Sequence, residues 1–297
     1  MTERRSRRRR YAVALAGMAR PDQLALICVV YALGVLVAVA RGGEHANVLV
    51  GVGALLAVAV AVHYANEYAD YETDALTTRT PYSGGSGVLH ATGLDRAFAW
   101  RALVGASALA VVALLASAVA GLPATATALL AVILVAGVAY SLGPRLAWRG
   151  LGELTNALLG GLALPLYGVA VTGTALDVVD VLTFLPFTAI VFTNLLATQW
   201  PDRRADAQVG KRTLAVTLDA RTLRRLYIFT AILGLGGVTA LVATGLAPHE
   251  LLALAAPTIV LLVVGAHRYG RVESPAVTVH AMVVLAFAYV LTAACAW

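Results

Sequence analysis

Nine runs of mostly apolar residues dominate this 297-residue chain. Each is close to the roughly 20 residues an α-helix needs to cross a hydrocarbon core. They cover 22–40, 46–65, 97–120, 122–141, 151–171, 181–199, 226–245, 250–266 and 277–297. In a bilayer every backbone N–H and C=O must be satisfied internally, so such runs are read as spanning helices. Hydrophobic residues make up 60% of the chain and charged residues 13%, with a mean hydropathy of +0.81, which excludes an ordinary soluble domain. Gly121-Leu122-Pro123 marks a tight hairpin between the third and fourth runs. The expected fold is all-α integral membrane, nine transmembrane helices in a bundle. Residues 1–21 form a basic tail and 22–297 a single transmembrane domain.

The basic residues set an orientation, because Lys and Arg concentrate in cytoplasmic loops. With the N-terminus in the cytoplasm, every Lys and Arg except Arg41 falls on that side. Glu44, Asp177, Asp180 and Glu250 then lie outside with Arg41. The expectation is a multi-pass cell-membrane protein with a cytoplasmic N-terminus and an external C-terminus. Topology and anionic headgroups account for the pI of about 9.6, with no need for nucleic acid. Arg4–Arg10 (RRSRRRR) could be a nucleic-acid arm or an export signal, but a full-length span follows Arg20-Pro21-Asp22, which favours a cytoplasmic anchor. Cys28 and Cys295 fall in the first and last spans, toward opposite faces, and imply neither a disulfide nor a metal site.

The polar stretch Asn66–Leu89, NEYADYETDALTTRTPYSGGSGVL, brings Glu67, Asp70, Glu72 and Asp74 together at the end of an apolar run. If the helix continues, Asn66, Asp70 and Asp74 stand at i, i+4 and i+8, on one face. Oxygen donors in such a row suit Mg²⁺, which is usually held by one or two carboxylates with phosphate oxygens and water. Asp202 and Asp206 repeat the i, i+4 pair after another apolar run, in QWPDRRADAQVGKRTLAV. Two acidic pairs at span ends suggest two metal sites facing one diphosphate. The glycines and serines of Ser83–Gly87 could curl backbone N–H groups around an anion, with Arg79 beside them. Lys211 is the one lysine in a chain of 21 arginines. A compact ammonium behaves differently from a guanidinium at phosphate, so Lys211, beside Arg212, is a candidate diphosphate ligand.

The paired motifs resemble the UbiA-type intramembrane prenyltransferases, whose signatures are NxxxDxxxD and DxxxD after the second and sixth spans. The resemblance extends over nearly the whole chain. It implies Mg²⁺-dependent transfer of a polyprenyl group from polyprenyl diphosphate to an aromatic or lipid acceptor within membrane lipids. Metal-binding roles fall to Asn66, Asp70, Asp74, Asp202 and Asp206, with the active site at the cytoplasmic side. Arg20, in the family's Arg-Pro before the first span, and Tyr140, in the segment between the fourth and fifth spans, join Asn66, Arg79, Lys211 and Arg212 as diphosphate contacts. TPYSGGSGVL and WPDRRADAQVGKRTLAV are most similar to the branch that prenylates 1,4-dihydroxy-2-naphthoate in menaquinone synthesis. Two departures stand out: Glu67 where Asp is common, and Thr198 where Asn is common, Asn194 lying a turn further back. Sister branches acting on geranylgeranylglyceryl phosphate or on carotenoids such as lycopene share the metal motifs.

Glu153 and Asn156, near the start of the fifth span, must face the protein interior. Glu153 could orient a phenolic acceptor or cap its own helix, and capping is the expectation. His63 and His280 are assigned no role. A repeat of four-helix halves, 22–141 and 151–266, with 277–297 added, is suggested by the motif spacing. An ion-coupled transporter would place its acids near mid-membrane on broken helices rather than at span ends. A phosphatidyltransferase would need a DGxxAR sequence, which this chain lacks.

Overall fold

The computed structural model describes residues 2–296, and side chains from Arg5 to Cys295. Met1 and Trp297, the outer ends of the expected tail and last span, lie outside the described residues. Nine helices among the described residues are long and apolar enough to cross a membrane, and no strand occurs among them. The chain is therefore a multi-pass membrane protein.

The N-terminal tail is itself helical: α1 (Thr2–Met18) turns at Arg20 into α2 (Pro21–Ala40), the first span. The second span, α3 (Val48–Ala69), leads into the short α4 (Tyr71–Leu76) and, after a loop, α5 (Val88–Thr92). Then come α6 (Arg96–Val119) and α7 (Ala124–Ser141). The fifth span is interrupted: α8 (Gly152–Ala157) passes through a π-helical turn, Leu158–Ala163, into α9 (Leu164–Val171). A π-turn widens the helix by one residue and is common at functional sites. The sixth span is α10 (Val178–Gln199), followed by the short α11 (Arg203–Gln208) and α12 (Leu214–Thr217). The last three spans are α13 (Ala220–Ala243), α14 (Glu250–Arg268) and α15 (Ala276–Ala296).

The fifth and sixth spans are the most buried, and α6 and α7 the least. That order fits the side chains, since α6 exposes Val104, Leu109, Val112 and Leu115, as a lipid-facing helix should. In lipid, helices associate through close packing, which favours small residues at the crossing. The crossing of α2 and α9 illustrates this. A Cβ on Gly34 would collide with the carbonyl of Pro165, and one on Gly168 with the carbonyl of Tyr31. Tyr31 and Tyr167 then meet with ring planes tilted by 40° and centroids 5.7 Å apart, their hydroxyls donating to Val48 O and Gly51 O at 2.8 Å each.

The basic tail packs against the protein along its apolar side. Ala14 and Met18 are buried with Leu89, Leu94, Ala99 and Leu103 in a small second core. Tyr64 OH donates to Leu15 O at 2.9 Å, and His63 Nδ1 lies 2.7 Å from Ala19 O, tying the α1–α2 turn to the second span.

Candidate active site

Both acidic motifs lie at the end of a spanning helix. The second span ends at Ala69 because Asp70 leaves helical geometry (φ −94°, ψ 8°), and α4 starts again at Tyr71. The expected continuous helix is therefore kinked, yet its hydrogen-bond register survives. Asp70 N–H donates to Asn66 O at 2.9 Å, and Asp74 N–H to Asp70 O at 2.8 Å. Asn66 Nδ2 also donates to Asp70 Oδ2 at 2.8 Å. After the sixth span, Asp206 N–H donates to Asp202 O at 2.9 Å, repeating the same one-turn pairing. Of the four acids in the first cluster, Glu72 points away and pairs with Arg96 at 3.2 Å on an exposed face.

Lys211 joins the two motifs. Its Nζ lies 3.1 and 3.2 Å from the carboxylate oxygens of Asp70 and 3.5 Å from Asp206 Oδ1. The backbone sets it there through a turn in which Lys211 N–H donates to Asp206 O at 2.9 Å. A second link runs through the glycine-rich loop, where Gly84 N–H donates to Asp202 Oδ2 at 3.1 Å. Residues 118 positions apart along the chain thus share one site.

The loop is held from below by Glu67. This buried carboxylate accepts from Ser86 N–H at 3.0 Å and Ser86 Oγ–H at 2.6 Å, and from Arg20 Nε and Nη2 at 3.0 and 2.6 Å. Arg20 Nη2 also donates to Asn66 Oδ1 at 2.9 Å. These bonds hold Arg20 in a left-handed backbone conformation (φ 51°, ψ 71°), which costs a non-glycine residue roughly 1–3 kcal/mol. Arg79 braces the loop, donating to Gly84 O at 3.2 Å and Gly85 O at 2.8 Å. Gly85 (φ +64°) lies so close to Asp74 that a Cβ would overlap its carboxylate.

The remaining candidate residues are placed differently. Tyr140 is partly buried beside Gly152, within the field of Lys211, Asp70, Glu153 and Asp206. Arg212 is exposed, and its backbone N–H donates to Trp148 O at 3.2 Å. Thr198 donates to Leu195 O of its own helix at 3.2 Å. Glu153 departs from expectation. It caps not its own helix but α12, Oε1 accepting from Leu214 N–H at 2.6 Å. Tertiary packing brings that helix start to it, which intrahelical spacing does not reveal. Sequence reasoning also missed Glu67 as the hub and Ser86 as its partner. The signal was a fourth acid beside Asn66, off the i, i+4 stripe.

Five carboxylates, Glu67, Asp70, Asp74, Asp202 and Asp206, thus face two cations engaged with them, Arg20 and Lys211. Burial pushes the Asp74 carboxyl up to about 7, assisted by Asp70 and Glu67 and opposed by Arg20 and Lys211. Burial likewise lifts Asp202 to about 7, against the Gly84 N–H, and Asp206 to about 6, against Lys211. For Lys211 burial acts to lower the ammonium, but Asp70 and Asp206 outweigh it and hold the group above the usual lysine range. The donor set fits a divalent cation. Hard oxygen ligands are in excess over cations, and Asp202 Oδ1 is buried without a hydrogen-bond donor. No three Asp, Glu, His or Cys side chains among the described residues converge closely enough to hold a metal by themselves. An ion bound here would complete its shell with water or substrate oxygens, the habit of Mg²⁺.

Comparison with known proteins identifies the fold and the family. No curated protein sequence matches the chain. Among solved structures, a UbiA homolog from Archaeoglobus fulgidus bound to DMAPP and Mg²⁺ superposes with a TM-score of 0.68 at 14% identity. The match covers 95% of this chain and 99% of that one. A digeranylgeranylglyceryl phosphate synthase gives 0.66 at 13% identity, covering 96% and 99%. The apo UbiA homolog from Aeropyrum pernix K1 gives 0.63 at 17%, covering 89% and 97%. At such identities these likenesses speak for the fold. The family model for the UbiA prenyltransferase family matches residues 25–291, nearly the whole chain, and the chain belongs to that family.

Proposed function

We propose that this prenyltransferase moves a long-chain polyprenyl group from its diphosphate to 1,4-dihydroxy-2-naphthoate, as a step of menaquinone synthesis. The observation that carries the catalytic reading is the joining of two carboxylate pairs by Lys211 and Gly84, at helix ends, with acids in excess. Asn66, Asp70 and Asp74 would hold Mg²⁺ on one side, and Asp202 and Asp206 on the other. Mg²⁺, when bound, supplies positive charge to the departing diphosphate. The Archaeoglobus homolog's complex with DMAPP and Mg²⁺ supports this assignment.

The chain's own residues divide the remaining work. Lys211, held between Asp70 and Asp206, would offer its ammonium to the diphosphate. Arg20 fixes Asn66 and Glu67 and lends positive charge beside the leaving group. Arg79 keeps the glycine-rich loop curled over the site. The apolar bundle takes the prenyl tail and keeps water from the allylic carbon until the acceptor attacks. The concentration of Lys and Arg in one set of loops supports a cytoplasmic site, with the N-terminus on that side. Acids at the membrane centre would cost about 2.5–3.5 kcal/mol each on insertion scales, and a rim position avoids that cost.

The acceptor reading rests on the likeness of the SGGSGVL and WPDRRADAQVGKRTLAV segments to the naphthoate branch. One assay tests it: purified protein, Mg²⁺ and a labelled prenyl diphosphate, offered a panel of acceptors, with products identified by mass spectrometry. Demethylmenaquinone, with the carboxylate lost as CO₂, is the expected product. Consumption of geranylgeranylglyceryl phosphate or lycopene, with naphthoate untouched, would overturn the acceptor assignment and leave the prenyl transfer standing.

A further inference from the structure

Glu153, at the start of the fifth span, has no solvent exposure. One of its oxygens is committed to Leu214 N–H at 2.6 Å. The other, Oε2, is buried and has no donor. A carboxylate offers about four lone-pair positions, and burying an oxygen with none of them filled is unfavourable. The position is close to the chemistry. Leu214 follows Lys211 by three residues, and Glu153 lies within the field of both Lys211 and Asp206. Its neighbour Gly152 sits against the Tyr140 ring, where a Cβ would stand 3.3 Å from Cε2.

A second buried acceptor accompanies it. Asn194, on α10, is 8% exposed and its Oδ1 has no donor. α8 and α10 pack on each other. These two packed helices therefore each carry a buried oxygen that needs a donor. Lys211 cannot serve them while it bonds Asp70 and Asp206. Prenyl diphosphate cannot either, since one end is anionic and the other hydrocarbon. Of the two substrates, only a hydroxylated acceptor brings an O–H donor.

We infer that Glu153 Oε2 accepts a hydrogen bond from a hydroxyl of the acceptor substrate, a phenolic one on the reading given above, on which this inference rests. The carboxylate orients the ring and draws its O–H proton toward itself, which raises electron density at the carbon that attacks. No covalent bond is made or broken at Glu153.

Glu153→Gln separates this role from capping, because the amide oxygen still accepts from Leu214 N–H while the anionic acceptor is lost. Full-length wild type, Glu153→Gln and Glu153→Ala are titrated with a prenyl thiodiphosphate in Mg²⁺, and then with hydroxylated acceptor, while kcat and acceptor KM are measured. Glu153→Gln is expected to keep thiodiphosphate affinity within about twofold and to lose about 10- to 100-fold in acceptor affinity, the span for a hydrogen bond to a charged group. The 1,4-dimethoxy analogue should bind wild type as weakly as the dihydroxy acid binds Glu153→Gln. Wild-type acceptor affinity and turnover in Glu153→Gln, with losses only in Glu153→Ala alongside thermal stability, would reduce Glu153 to a cap and overturn the inference. If wild type prenylates the glyceryl phosphate instead of naphthoate, the naphthoate reading fails, and the same comparison on that alcohol still decides the role of Glu153. Use of a hydrocarbon acceptor alone would overturn both.

Discussion

Replacing Lys211 by methionine removes a charge held by two carboxylates while keeping most of the side-chain volume. At 3.1 Å from Asp70 the ammonium attracts that carboxylate by about 5 kcal/mol at an effective dielectric near 20, before desolvation is subtracted. Truncating one partner of such a buried pair typically costs about 3–5 kcal/mol, because the remaining charges are left uncompensated. Here Asp70 and Asp206 would face each other without a counter-ion. Metal-free Lys211→Met should therefore melt well below wild type. A divalent cation can take the place of the lost ammonium, so the deficit should shrink in Mg²⁺ or Mn²⁺, and the metal alone should bind more tightly than to wild type. Turnover should fall, since the diphosphate loses a cation. Thermal unfolding in detergent, in chelator and across a Mn²⁺ titration, reads all of this except turnover, which the prenyl-transfer assay supplies. Equal destabilisation with and without metal, or weaker metal binding by the variant, would refute the picture of Lys211 as a built-in counter-ion that metal displaces. Lys211→Arg keeps the charge but replaces a point donor with a planar fork, and should restore metal-free stability better than turnover.

Asp70→Asn and Asp202→Asn should each lower kcat by about 10²–10³-fold, the scale of a lost preorganised electrostatic contact, and wild type should be inactive in chelator. Full activity in either variant would remove that residue from the metal site. Gly85→Ala should cut activity and metal affinity together, because its Cβ would overlap the Asp74 carboxylate at a backbone angle disfavoured for alanine; circular dichroism should show the bundle intact. Mg²⁺ affinity should rise with pH between about 6 and 8, since Asp74 and Asp202 near 7 and Asp206 near 6 must lose protons to bind metal. Each carboxyl near 7 contributes about tenfold over that range. The raised values also mean that these groups favour the metal-free fold below the ordinary carboxylate pKa. That contribution is lost as pH rises through 6 to 7, so chelated protein should melt lower at pH 8 than at pH 5.5. A pH-independent metal affinity would contradict the burial of these acids.

The nine spans were readable from the residue order because helix formation in lipid is a local requirement. A run of apolar side chains long enough to cross must satisfy its own backbone, whatever its neighbours do. The two acidic pairs were readable for the same reason, as i, i+4 spacing is a property of one helix. Lys211 stood out by composition. What spacing could not supply was anything that depends on which helix ends meet. The kink at Asp70 keeps the Asn66–Asp70–Asp74 register while redirecting the chain, and Glu72 is spent on Arg96. Arg79 binds loop carbonyls, and Glu67 binds both Arg20, 47 positions earlier, and Ser86, 19 later. Glu153 caps a helix 61 residues away. Each of these is a contact between segments whose separation along the chain carries no periodic signature. Only the packing of α2 on α3, of α8 on α10 and of α4 on α11 brings these polar ends to a common point, where burial then decides which carboxylates keep their protons.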